Sequence, residues 1–332
     1  MNAFGENLKL SIFGESHSEG IGMVLDGFPA GIEIDFDKLA EEMSRRAPGR
    51  SELSTIRLEP DIPEFLSGIF RGKTTGAPIC AFIRNTDIRS ADYQQEKPRP
   101  GHADLTSHIK FKGHADYRGG GVFSGRLTAA MNVAGALCKQ ELSCRGISIK
   151  ASTISIGKAL KSESDFETAM RREILEARKR GDSVGGVVEC MVVGIPAGLG
   201  GLMNGGMESR ISAALYAIPA VKGVEFGAGF EIAKMYGSEA NDPIRIENGC
   251  VFTETNNAGG INGGITNGMP LILRCAFKPT PSISREQKTI DFKKLENTTL
   301  SVSGRHDPCI AIRALPVVEG MVAFCVLDAF LD

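Results

Sequence analysis

Gly68-Ile69-Phe70-Arg71-Gly72-Lys73-Thr74-Thr75-Gly76-Ala77-Pro78 recurs later in the chain as Gly260-Ile261-Asn262-Gly263-Gly264-Ile265-Thr266-Asn267-Gly268-Met269-Pro270, with six of eleven positions identical. An apolar, strand-like run follows each copy, at 79–83 and 271–277. A shorter pair lies upstream: Gly27-Phe28-Pro29-Ala30-Gly31 and Gly194-Ile195-Pro196-Ala197-Gly198. Between the two motifs of each half sits one helical pattern. Phe36, Leu39, Ala40 and Met43 form its apolar stripe in the first half, with Asp35 as N-cap and Pro48-Gly49 as stop. Met207, Ile211, Ala214, Leu215 and Ile218 form it in the second, stopped by Pro219. Each half thus reads strand, G-x-P-A-G turn, helix, G-x-T-x-G-x-P turn, strand. Two like-built halves, about 8–90 and 185–285, are expected to pack about a pseudo-twofold axis into one core, so that 1–332 is a single domain.

Working outward, Leu127, Ala130, Met131, Ala134, Leu137 and Cys138 fit a buried helical face. Phe166, Met170, Ile174 and Ala177 fit a more amphipathic one, stopped by Gly181, and the run after Pro316 reads as a buried helix. Strand patterns fall at 8–13, 22–25, 79–83, 187–193 and 271–277. Strands in hairpin-like succession with helices outside them predict an α+β fold of two packed antiparallel sheets flanked by helices.

Composition narrows the function. The 332 residues are 42% hydrophobic and 23% charged, the balance of a soluble globular chain rather than a disordered or fibrous one. Thirty-eight Lys and Arg against 40 Asp and Glu leave no general basic excess for nucleic acid or an anionic membrane, so any anion site depends on local placement of cations. None of the eight cysteines forms C-x-x-C, which argues against a zinc ribbon or redox pair and for reduced thiols in a cytoplasmic protein. The first residues lack a signal-peptide pattern, and the apolar tail at 317–331 is interrupted by Glu319 and Asp328 and too short to span a membrane.

Four clusters carry chemistry. Gly14-Glu15-Ser16-His17-Ser18 ends a strand in a turn displaying a histidine, a group that titrates near neutrality and suits general acid work. Arg99-Pro100-Gly101-His102-Ala103-Asp104 leads to Asp116-Tyr117-Arg118-Gly119-Gly120-Gly121 and on through Ser124-Gly125-Arg126 into a helix. Glycine-rich backbone before a helix offers N–H groups to an anion, and arginine forks onto carboxylate or phosphate. Lys278-Pro279-Thr280-Pro281-Ser282 sets an ammonium and two hydroxyls on a stiff loop. Gly304-Arg305-His306-Asp307-Pro308-Cys309 makes a charged corner. Other signals fail: the Gly68–Thr74 stretch has three residues between its glycines where a nucleotide P-loop has four, and His102, His108 and His114 share no helical or strand face. No G-x-S-x-G elbow is present, so a serine hydrolase is not indicated.

Taken together, G-E-S-H, R-P-G-H-A-D, D-Y-R-G-G-G, A-G-G-I-x-G-G-I, K-P-T-P-S-I and G-R-H-D-P-C resemble, in order and from about residue 8 to 330, the motifs of the chorismate synthase family. The resemblance implies a β-α-β sandwich and a lyase of the shikimate pathway, the route to aromatic amino acids. That lyase converts 5-enolpyruvylshikimate 3-phosphate to chorismate and phosphate by 1,4-anti elimination with reduced FMN and no net redox change. It also implies a homotetramer, with NADPH as one candidate flavin reductant. By resemblance, Arg46, Arg99, Arg126 and Arg305 clamp the substrate's phosphate and carboxylates. His17 is the acid near the departing phosphate, His102 keeps the reduced flavin correctly protonated, and Asp307 is the base that helps flavin N5 accept the C6 proton. Flavin contacts carried over are Ser124, Ala220, Gly263, Lys278, Pro279, Thr280, Pro281, Ser282 and Arg305, with Lys278 at the phosphate.

The chain departs from the family pattern at Ser18, where glycine is usual, and at Val122-Phe123-Ser124-Gly125-Arg126-Leu127-Thr128, where R-S-S-A-R-E-T is usual. Pro219 replaces an asparagine, and Glu52 stands where a second pocket arginine is common. Two lost cations would weaken anion or flavin binding by about 1–3 kcal/mol each if those contacts are buried. The alternative on this reading is a family member that binds FMN with weak or no activity.

Overall fold

The computed structural model describes residues 3–49, 52–55, 59–88, 93–302 and 306–331. The first half runs through β1 (Ala3–Phe4), β2 (Lys9–Gly14), β3 (Gly20–Asp26), α1 (Phe36–Arg46), β4 (Glu64–Ser67), a small hairpin β5 (Ile69–Phe70) and β6 (Lys73–Thr74), and β7 (Ile79–Arg84). The middle holds α2 (Asp104–Lys110), α3 (Thr128–Cys144), β8 (Ser148–Ile156), β9 (Ala159–Leu160) and α4 (Phe166–Lys179). There follow β10 (Gly186–Val193), α5 (Met207–Tyr216), β11 (Val221–Phe226), α6 (Gly237–Ala240), the hairpin β12 (Ile244–Glu247) and β13 (Cys250–Thr253), the hairpin β14 (Ile261–Asn262) and β15 (Ile265–Thr266), and β16 (Leu271–Phe277). The chain closes with the hairpin β17 (Gln287–Asp291) and β18 (Glu296–Leu300), then α7 (Ala311–Phe330).

The strands build two five-stranded sheets, ordered β1-β2-β3-β7-β4 and β11-β16-β10-β8-β9, and their pairings are antiparallel. The molecule is therefore a mixed α and β fold with antiparallel sheets. The repeated turns make the same hydrogen bonds in both halves. Thr74 Oγ1 donates to Pro29 O at 2.6 Å and accepts from Ile32 N, and Thr266 Oγ1 donates to Pro196 O at 2.7 Å and accepts from Leu199 N. Threonine recurs there because one hydroxyl closes the G-x-P-A-G turn as both donor and acceptor.

Helix α3 lies against β3 and β7 of the first sheet, α7 lies against β8 and β10 of the second, and the two helices pack on each other. Their buried residues run nearly all round, including Val133, Leu137, Val318, Val322 and Phe324, so each helix meets apolar partners on more than one face. Gly135 and Gly320 mark the crossing, where a methyl on Gly135 would lie 2.2 Å from Gly320 Cα. Pro316 lies inside α7 rather than before it, in its second turn, where it forfeits one backbone hydrogen bond. The far end of α7 ties down the chain's start: Asp328 Oδ1 accepts from Asn7 N and Leu8 N, each at 2.7 Å.

Candidate active site

One cavity of about 800 Å³ opens where the β2–β3 turn, the 99–128 segment, the β11 entry and the loop after β16 meet the start of α7. Its lining includes His17, Arg46, Arg99, His102, Ser124, Arg126, Ala220, Lys278, Thr280, Pro281, Ser282 and Asp307. Gly263 is not among the lining residues; it turns the β14–β15 hairpin at φ 61°. Pro279 is also absent from the lining, and Arg305 lies outside the described residues.

The glycine run explains how the two histidines are held. Gly119, Gly120 and Gly121 take φ of 60°, 87° and 53° in succession, a left-handed path that residues with a Cβ rarely follow. A methyl on Gly119 would sit 2.6 Å from His17 Nε2, and one on Gly120 would sit 2.9 Å from His102 Nε2. Backbone thus lies directly on both imidazoles. Ser16 N donates to Gly121 O at 3.2 Å, joining the two loops. His17 is 7% exposed and packs edge-on against Tyr93, with ring centroids 5.4 Å apart. Ser18 does what glycine could not, donating from its hydroxyl to Gly20 O at 2.8 Å to brace the turn.

His102 is oriented by a carboxylate. Its Nδ1 lies 2.5 Å from Asp104 Oδ1, and because a carboxylate only accepts, Nδ1 carries the proton in the neutral ring and Nε2 carries the lone pair. Arg99 Nη2 is 3.1 Å from that same Nδ1 but donates to Asp104 Oδ1 at 2.8 Å, with Nε on Oδ2 at 2.7 Å. Burial, helped by the Arg99 charge, outweighs the Asp104 hydrogen bond and holds the imidazole pKa below its ordinary value. The Arg99 guanidinium also donates to Ser282 Oγ at 3.1 Å and lies over the Tyr93 ring at 5.1 Å.

Arg46 and Arg126 are 4% and 5% exposed and share one carboxylate. Arg46 Nη1 donates to Asp61 Oδ2 at 2.6 Å, and Arg126 Nη1 donates to Asp61 Oδ1. Arg46 also donates to Thr128 Oγ1 and Gly125 O, and Arg126 to Asn85 Oδ1 and Arg84 O. Glu59, itself bonded by the Thr86 hydroxyl at 2.7 Å, lies 3.8 Å from Arg126. Burial alone would raise the Asp61 carboxyl; the two guanidiniums overcome it and hold it below the usual range. Burial lowers the Arg46 pKa even so. Asp307 accepts from Thr55 N at 2.8 Å and from Arg313, whose Nε donates to Arg46 O at 3.0 Å.

Asn85, Glu59, Asp61, Arg313 and Lys222 are the groups sequence reading misses. Asn85 holds the His17 turn by donating to Glu15 O at 3.0 Å and Ser18 O at 2.9 Å while accepting from Arg126. Its only sequence signal is a polar Asn-Thr-Asp at a strand exit. Glu52 is not in the lining; it pairs with Arg171 of α4. Val122, Phe123 and Leu127 do line the cavity and give it apolar wall where the family pattern has arginine, serine and glutamate. Among the described residues no group of three His, Cys, Asp or Glu is placed to hold a metal ion.

A sequence model of the chorismate synthase family matches residues 8–331. This chain belongs to the chorismate synthase family. It is 47% identical to the chorismate synthase of Thermococcus kodakarensis, over 98% of this chain and 97% of that protein. It is 48% identical to the one from Pyrococcus abyssi at the same coverage. A crystal structure of a chorismate synthase is 31% identical and superposes with a TM-score of 0.77, over 98% of this chain and 92% of that one. The arginines and histidines of the sequence motifs converge on one cavity, in a fold similar to that of the crystal structure.

Proposed function

We propose that this cavity converts 5-enolpyruvylshikimate 3-phosphate into chorismate and phosphate by 1,4-anti elimination, with reduced FMN as resident cofactor, as a lyase of aromatic amino acid biosynthesis. The observation that carries this is the convergence of His17, His102, Asp307 and three arginines on one space in a chain of this family. At about 800 Å³ it lies toward the large end of ligand pockets, roughly 300–1,000 Å³, and has room for two ligands.

The lining fits a flavin mononucleotide. Leu127, Ile218, Val221 and Ile310 offer apolar wall for a ring, and Lys278 with Ser282 and Thr280 offers a cation and hydroxyls for a phosphate. The Thr280 hydroxyl is buried without a hydrogen-bond partner, a group that a ligand oxygen would satisfy. Ser124, Ala220 and Pro281 share that wall; Gly263, Pro279 and Arg305 join the reading through the family motif alone. Reduced flavin, when bound, supplies an electron-rich ring that eases loss of the allylic phosphate.

The chain's own groups do the rest. His17, fixed by Gly119 and Tyr93, donates a proton to the departing phosphate. His102 is kept neutral by burial until anionic ligands arrive beside Arg99, which raises its proton affinity and loads Nε2. Asp307, pinned by Thr55 N–H and Arg313, is the carboxylate that holds a proton near the reacting carbon. Arg46 and Arg126 reach the substrate as a pre-paired unit on Asp61, so they supply directed positive potential more than free forks. Excluding water strengthens each of these fields. The layering of two sheets about central helices, the two halves at about 8–90 and 185–285, a homotetramer and a cytoplasmic setting belong to the same reading. NADPH remains its candidate reductant.

An anaerobic assay with dithionite-reduced FMN tests the reading. Chorismate should form catalytically without net consumption of reduced flavin. Flavin binding without chorismate would leave a binding protein, and stoichiometric flavin oxidation would indicate hydride transfer; either outcome rejects the proposal.

A further inference from the structure

Charge pairing divides the cavity in two. Each guanidinium in the described lining is matched to a carboxylate: Arg46 and Arg126 to Asp61, Arg99 to Asp104, and Arg313 to Asp307. Among the described lining residues, the cations with no carboxylate partner are Lys222 and Lys278. They stand side by side at the junction of β11 and β16, where Lys278 N donates to Ala220 O at 3.0 Å.

Lys222 reaches the cavity through a backbone irregularity. In the β11–β16 ladder Val221 faces Phe277 and Gly223 faces Ala276, so Lys222 is one residue too many. Along a regular strand Val221 and Lys222 would point to opposite faces. The bulge instead lets both line the cavity, and re-aiming a side chain is the common use of a bulge beside a site. Immediately upstream, Ala220 takes φ 75°, a left-handed conformation uncommon for a residue with a Cβ. A backbone shaped against local preference over three residues needs a reason in tertiary structure.

Two further observations point to a ligand. The Thr280 hydroxyl, on the loop that Lys278 begins, is buried with no hydrogen-bond partner. Lys278 is partly buried, and that burial together with the nearby Lys222 charge lowers its proton affinity. Two like charges in contact with one space are unfavourable until an anion enters it, and a phosphate monoester dianion matches two ammonium groups and a hydroxyl donor.

We propose that Lys222 is a second phosphate-binding residue, joining Lys278 and the Thr280 hydroxyl around the terminal phosphate of bound flavin mononucleotide. This deepens the function proposed above and rests on it. The experiment is titration of the full-length protein and its Lys222→Gln and Lys222→Arg variants with FMN and with riboflavin, which lacks the phosphate, followed by flavin fluorescence. Lys222→Gln should weaken FMN at least about tenfold, leave riboflavin unchanged and leave the thermal melt unchanged, with Lys222→Arg recovering most of the loss. Equal weakening of both flavins, or of neither, overturns the assignment. So does unchanged FMN binding with a raised KM for the phosphorylated substrate, which would place Lys222 on the substrate's phosphate instead. Failure of the unaltered protein to bind FMN at all rejects the underlying function, whereas binding that ignores position 222 rejects this proposal alone.

Discussion

His102 shows how one neighbour sets the behaviour of a titrating group. Burial lowers its proton affinity, the Asp104 carboxylate opposes that, and Arg99 adds to it. Asp104→Asn removes the carboxylate that raises its proton affinity and frees a guanidinium charge beside the ring. The pH–rate limb that follows protonation of His102 should therefore move to lower pH, with turnover reduced and the fold intact by circular dichroism. Movement to higher pH would show that Asp104 does not govern this imidazole. Because the folded pKa lies below the unfolded one, the His102 contribution to stability is present above about pH 6.5 and is lost as pH falls through the folded value. The motif R-P-G-H-A-D displays these residues in sequence. It does not display that one aspartate serves both the histidine and the arginine, because that depends on the turn that folds residue 104 back on 99.

Among elements, the short helical segment Arg118–Phe123 is tightly constrained, with three successive glycines at positive φ. It positions nothing through side chains of its own at 119 and 120; it works by having none. Gly119→Ala and Gly120→Ala each add a methyl against a histidine ring and require a left-handed alanine. Each should cost turnover about 100-fold, the scale of an ångström-sized misplacement of a reacting group. Gly237→Ala, whose methyl would meet nothing within 4 Å, serves as control and should leave turnover unchanged. Equal turnover in all three variants would mean the histidines tolerate displacement. Strand and helix patterns located most elements well because their apolar periods are local: Leu271–Phe277 alternates buried and half-buried throughout. The β11 bulge left no such trace, since an extra residue disrupts pairing without changing composition.

Across the whole molecule, Glu319 is the polar pin of the central layer. It is 1% exposed in the middle of α7, accepts from Arg45 of α1 and Lys139 of α3, and accepts from Ala151 N of β8 at 2.8 Å. Burial would raise this carboxyl, but Arg45 and Lys139 outweigh it and hold it below the ordinary range. Its stabilisation is therefore complete above the unfolded pKa of about 4.3 and drains as pH falls through the folded value. Glu319→Gln should lower stability at neutral pH by about 1–3 kcal/mol by removing the buried carboxylate that partly exposed Arg45 and Lys139 share, and should flatten the acid limb. Urea unfolding at pH 7 and pH 4 measures both effects. If variant and parent lose stability in parallel on acidification, Glu319 is not the titrating pin. Among the described residues no helix is long and apolar enough to cross a membrane, and α7 with its buried Glu319 and Asp328 instead forms part of the protein core.

Sequence alone fixed what depends on short-range chemistry. The doubled G-x-P-A-G and G-x-T-x-G-x-P turns, the helix between them and the Ser-His, Arg-His-Asp and Lys-Pro-Thr motifs are all legible, because glycine, proline and clustered ionisable groups carry their meaning within a few residues. Tertiary structure decided the rest. Asp61 became the shared partner of Arg46 and Arg126 only when segments 15 and 65 residues apart met. Helices α3 and α7 came to pack on each other and on strands because more than one of their faces found apolar partners, and Lys222 turned toward the cavity because its strand had to absorb one residue against β16. Pairing of buried charge is a long-range property: it depends on which loops converge, and no local pattern encodes that.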